Sequence, residues 1–101
     1  VKETNGHTDE INVSVKQIKI MRHMIGLNGQ GKPRRGKYEA YRNFYAAGPD
    51  DVPPLEDLVD KGFVNRWSPG KFPSEYPIYS LNGMGLEFLG DICGLKITER
   101  R

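Results

Sequence analysis

Residues 55–89 read LEDLVDKGFVNRWSPGKFPSEYPIYSLNGMGLEFL, and this stretch decides the fold class. Leu55, Leu58 and Val59 recur at helical spacing and form the inner face of a short helix that Gly62 stops. Pro53 and Pro54 fit its first turn, where a missing N–H does no harm, and Asp51 stands at the capping position. Residues 63–67 then alternate, with Phe63, Asn65 and Trp67 facing one way and Val64 and Arg66 the other. Residues 68–75 (SPGKFPSE) hold two Pro and one Gly, which marks a turn. Residues 76–81 return as a second strand, Tyr79 and Leu81 on one side and Ile78 on the other. Asn82 caps a last helix running to about Cys93, with Leu86, Phe88, Leu89 and Ile92 as its apolar positions and Gly94 as its stop.

Upstream, residues 11–27 read as a first helix. Ser14 and Gln17 match a capping box, and Val13 and Ile18 sit at the positions of a hydrophobic staple. Ile11, Val15, Ile18, Met21 and Ile25 supply one apolar face, which Ile20, Met24 and Leu27 widen. Residues 28–36 (NGQGKPRRG) form a loop. Residues 37–47 read as a second helix, with Tyr38, Tyr41 and Tyr45 on one stripe, ended by Gly48-Pro49. The polar residues 1–10 are expected as a flexible tail, and residues 95–101 as a second tail. The order helix, helix, short helix, hairpin, helix predicts one α+β domain over residues 11–94. Three helices would pack on a two-stranded hairpin, followed by a C-terminal helix.

The chain has 101 residues, room for one core and not two. No apolar run approaches the roughly 18 residues of a membrane span, and the first residues carry no apolar secretory core. A single cysteine, Cys93, excludes an internal disulfide and a multi-cysteine zinc site. The expected location is the cytoplasm, away from membranes.

Residues 55–89 resemble the winged-helix fold. In that family a helix ends as L-x-x-L-x-x-x-G followed by two hydrophobic residues, and the strand returning from the wing ends in Y-x-L-T-x-x-G-x-x-x-L. Leu55, Leu58, Gly62, Phe63, Val64, Tyr79, Leu81, Gly85 and Leu89 fill those positions, and Asn82 replaces the usual Thr. The stretch KYEAYRNFYAAGP (residues 37–49) is similar to small proteins encoded by phages and prophages, and implies that kind of origin. The winged-helix, or helix-turn-helix-like, resemblance implies DNA binding, with the third helix in the major groove and the wing beside it. Here that helix carries Glu56, Asp57 and Asp60 against Lys61, and it lacks the Arg, Asn and Gln that read bases. Carboxylates there oppose phosphate, so the usual docking mode is not expected.

Charge is segregated along the chain. Residues 16–42 hold eight basic residues against Glu39, and residues 50–61 hold five acidic residues against Lys61. Such separation builds local potentials that the formal net charge of +2 conceals. Lys32, Arg34, Arg35 and Lys37 lie in or beside the Gly-rich loop, Arg42 follows, and Arg66 and Lys71 belong to the wing. Glycine lets a loop lie along a phosphate backbone, and arginine binds phosphate through two parallel hydrogen bonds. These seven residues are the candidate contacts to double-stranded DNA, non-specific in sequence. The plain alternative is a loop made soluble by its charge. For Arg42, an interface role and a solvated one stay open. The rival function is a protein-interaction module or homodimer, in which Glu56, Asp57 and Asp60 meet a basic partner: a phage or host protein, or the basic stretch of a second copy.

Gly29-Gln30-Gly31-Lys32 lacks P-loop spacing. His7 and His23 have no cysteine near them, so no metal is expected, and Cys93 reads as a buried inert thiol. Neither a nucleophile constellation nor a cofactor loop is visible, so the expectation is a protein that is not an enzyme and carries no cofactor. Trp67 is expected in the core, closing the bottom of the domain; exposed on the wing, it would mark a partner site.

Overall fold

A computed structural model describes residues 12–27, 32–67 and 77–99. They form helix α1 (Val15–Met24), strands β1 (Lys37–Ala40) and β2 (Tyr45–Ala46), helix α2 (Val52–Asp60), strands β3 (Val64–Trp67) and β4 (Ile78–Leu81), helix α3 (Gly83–Cys93) and strand β5 (Lys96–Glu99). The class is α+β, with three helices and two small sheets among the described residues.

Local chemistry sets the helix ends. The Ser14 hydroxyl accepts from the Gln17 N–H (3.1 Å), and the Gln17 side chain accepts from the Ser14 N–H (2.8 Å), which completes the capping box. Asn82 caps α3 by accepting from the Gly85 N–H (2.9 Å). All three helices stop the same way. The N–H groups of Leu27, Phe63 and Leu95 reach back to the carbonyls of Arg22, Leu58 and Gly90, just past a left-handed glycine in each case. At the first of these, Gly26, a Cβ would also strike the Tyr41 ring.

The buried face of α1 is rotated from the expected one. Gln17, Ile20, Met21 and Met24 point inward, whereas Val15 is 69% exposed. Gln17 goes inside because its amide has partners there, donating to the Pro54 carbonyl (2.9 Å) and to Asp57 (2.8 Å).

The expected second helix over residues 37–47 does not form. Residues 37–40 are strand β1, exposed and buried in alternation, and residues 45–46 are β2. Tyrosines at helical spacing also suit a pleated, half-buried surface, and here distant strands supply partners for the backbone. β4 is the centre of an antiparallel sheet ordered β2-β4-β3, pairing Tyr45 with Tyr79 and Val64 with Leu81. β1 pairs in parallel with β5, so residues 96–99 belong to the fold although a tail was expected there. Residues 1–11, and with them the expected N-terminal tail, lie outside the described residues.

Asn43 joins the two sheets. Its side chain exchanges two hydrogen bonds with the Leu81 backbone (2.8 and 2.9 Å), as a strand residue would, and also donates to Glu99 of β5 (2.9 Å). The core between helices and sheets contains Met21, Met24 and Ile25 of α1 and its C-terminal turn, Leu55 and Leu58 of α2, Tyr79 of β4 and Leu89 of α3, all fully buried.

Candidate functional site

The Gly-rich basic stretch ends in a tight turn. Arg34 and Lys37 exchange backbone hydrogen bonds in both directions (2.8 and 3.0 Å), and the two residues between them, Arg35 (φ 54°) and Gly36 (φ 76°), are both left-handed. Two positive φ values inside such a pair are the mark of a type I′ turn, which feeds directly into β1. Lys32, Arg34, Arg35 and Lys37 are all exposed around it.

The parallel pairing adds a fifth cation. Lys96 donates its N–H to the Gly36 carbonyl (2.9 Å) and lies opposite Lys37. Tyr38 and Ile97, the next pair, turn toward the core, so both lysines face outward. No ion pair joins any of the five to a described residue. Lysines directly opposite one another repel, so the pair concentrates positive charge at some expense of stability. Sequence reasoning missed Lys96 because its neighbours in space are far away in sequence. The alternation Lys96-Ile97-Thr98 was the available strand signal.

The remaining candidates do not converge here. Arg42 donates through Nη2 to the His23 carbonyl (2.8 Å), placing its charge at the C-terminal end of α1, where the helix dipole favours a cation. Its Nε is buried without a partner among the described residues. Arg66 pairs with Glu56 (3.3 Å) across α2 and β3. Lys71 lies outside the described residues.

Most of the acidic stretch has internal partners. Glu56 also accepts from the Tyr79 hydroxyl (2.7 Å), and Asp51 accepts from the Tyr45 hydroxyl (2.7 Å) with Lys16 nearby (3.7 Å). Burial, helped by these carboxylates, pushes both tyrosines up to about 12. Asp57 accepts from Lys61 (2.6 Å) and Gln17, and these bonds hold its carboxyl below the usual range. Asp60 alone of the three candidates faces solvent without such a bond among the described residues. The carboxylates therefore dock α2 against α1 and the sheet.

Trp67 is 57% exposed rather than in the core. It ends β3, on the edge of its sheet, where no described strand covers it. Among the described residues no group of His, Cys, Asp and Glu gathers as a metal site, and no helix is long and apolar enough to cross a membrane. Compared with known proteins, the chain matches no family model, no curated protein and no solved structure.

Proposed function

We propose that this protein is a small nucleic-acid-associated protein that contacts the phosphate backbone without reading sequence, through Lys32, Arg34, Arg35, Lys37 and Lys96. The observation that carries this reading is the clustering of five exposed cations around one type I′ turn, with no ion pair to a described residue. Uncompensated cations on a backbone locked at both ends release counterions when they meet phosphate, and that release drives binding. Arg42 and Arg66 are not part of this turn cluster: the first binds the His23 carbonyl, and the second stands on β3 beside Glu56.

The winged-helix resemblance is part of this proposal in modified form. The β2-β4-β3 sheet with α2 leading into β3 fits a wing-bearing domain. The expected second helix, over residues 37–47, is replaced by strands β1 and β2, so the proposed contact is the β1 turn and not a recognition helix. The likeness of residues 37–49 to phage and prophage proteins suggests a regulator of that origin. The rival reading, an acidic α2 seeking a basic partner, is weakened by the internal bonds of Glu56 and Asp57.

The test is fluorescence anisotropy with a labelled random-sequence duplex at several salt concentrations. Affinity falls steeply with salt, and reversing Arg34 and Arg35 to Glu lowers the slope by about two or more while circular dichroism stays unchanged. Equal affinity in the double variant would remove this turn as the site.

A further inference from the structure

We propose that the groove beside Trp67 binds an unpaired nucleobase, so that the nucleic acid this protein contacts has single-stranded character. The inference rests on the phosphate-contact reading for its ligand class, and adds a site that tells single strands from duplex.

The groove, about 480 Å³, is lined by β3 itself, by Val59 and Gly62 at the end of α2, and by Asn82. That volume lies in the usual range of small-ligand clefts. Among the described residues its lining contains an indole, a guanidinium and two amides, and no carboxylate. Although α2 is acidic, its Glu56 is held by Arg66 and Tyr79. A phosphate-bearing ligand therefore meets Arg66 at the groove and no carboxylate among its described walls.

Trp67 is the stacking surface. Its Nε1–H donates to the Ser80 hydroxyl (2.8 Å), which fixes the ring while more than half of the residue stays open to solvent. An aromatic ring held rigid and left exposed has its ordering cost already met before a base arrives. Asn65 lies two residues earlier on the same side of the strand and is exposed, and no described residue hydrogen-bonds its amide. An amide presents an N–H donor and a carbonyl acceptor side by side, the pairing that a base edge requires. Arg66 binds Glu56 through Nη1, and its side chain remains 57% exposed, leaving donors for a phosphate next to the base. Asn82 forms a fixed wall, because both ends of its amide are taken, by the Gly85 N–H and the Gly62 carbonyl (2.8 Å). In a duplex the base faces are closed inside the stack, so only an unpaired base can lie on this indole.

Trp67 is the chain's one tryptophan, so emission excited at the red edge of the absorption band, where the five tyrosines do not absorb, reports on this groove. Titration with a short oligothymidylate quenches the emission to saturation, whereas a duplex of the same length binds through the turn and leaves it unchanged. With a fluorescein-labelled oligothymidylate, Trp67→Ala weakens anisotropy-detected binding about tenfold or more, Trp67→Phe restores most of it, and duplex affinity is the same for all three proteins. Circular dichroism of each variant monitors the fold. If the single strand binds without quenching, or with equal affinity to Trp67→Ala, the base site is wrong while the duplex result still supports the phosphate reading. If neither nucleic acid binds at low salt, both readings fall together.

Discussion

Arg35 holds a left-handed backbone (φ 54°) that a β-carbon resists, in a turn where Gly or Asn would be the ordinary choice. The conformation costs about 1 kcal/mol, and the exposed Arg35 side chain makes no bond to a described residue that would offset it; a glycine could hold the same turn. Strain kept at an exposed cation motivates a role outside the folded chain. Arg35→Gly should therefore raise stability by about 0.5–1 kcal/mol in urea unfolding and at the same time lower the salt slope of duplex binding by about one. Arg35→Lys separates the two effects, since it keeps the charge and the strain and should leave both quantities near those of the parent. A destabilised Arg35→Gly protein would mean that the side chain has a folding role. Sequence reading located this residue in a basic loop, but it could not find the turn, because the Arg34–Lys37 pairing depends on β1 being a strand.

At the scale of elements, the legible parts were those decided within a few residues. The Ser14–Gln17 box, the Asn82 cap and the stops at Gly62 and Gly94 each involve groups less than a turn or two apart. Residues 37–47 were illegible because the helical spacing of Tyr38, Tyr41 and Tyr45 is satisfied equally by strands whose partners, β4 and β5, come much later in the chain. The acidic face of α2 was legible as charge but not as docking, since its tyrosine and glutamine partners sit on other elements. That docking has a pH signature. A tyrosine of ordinary value 10 raised to about 12 keeps its proton in the folded chain after the unfolded chain has lost it. Its contribution is complete below pH 10 and disappears as the pH rises through 12, by up to about 1.4 kcal/mol per unit for each tyrosine. Tyr79→Phe should lower stability at neutral pH by about 1.5 kcal/mol and remove part of the alkaline slope. The comparison is made on urea midpoints of parent and variant at matched pH, which cancels the titration of lysines. An unchanged slope in the variant would show that the Tyr79–Glu56 bond does not couple to folding.

For the whole molecule, the closing step is the pairing of β5 with β1, which ties residues 96–99 to residues 37–40 and places Lys96 beside the basic turn. Ile97 packs partly buried against the core, and α3 makes room for the crossing at Gly90, where a β-carbon would meet the Leu95 carbonyl. Residues 95–99, read from sequence as part of a tail, are thus a structural and electrostatic part of the domain. Ending the chain after Leu95 removes the only described partner of β1 and uncovers Tyr38, which is otherwise 4% exposed. Losing the Ile97 side chain and its contact with Tyr38 should lower stability by about 2 kcal/mol, or roughly 10 °C in Tm by calorimetry for a domain of this size. A disposable tail would leave Tm unchanged. Lys96→Gln in the full-length chain completes the test, because it keeps the strand and removes the charge. It should raise Tm slightly by relieving the repulsion with Lys37 and lower the duplex salt slope by about one. Loss of slope in the truncated chain without loss in Lys96→Gln would assign the effect to a disordered turn and not to the fifth cation.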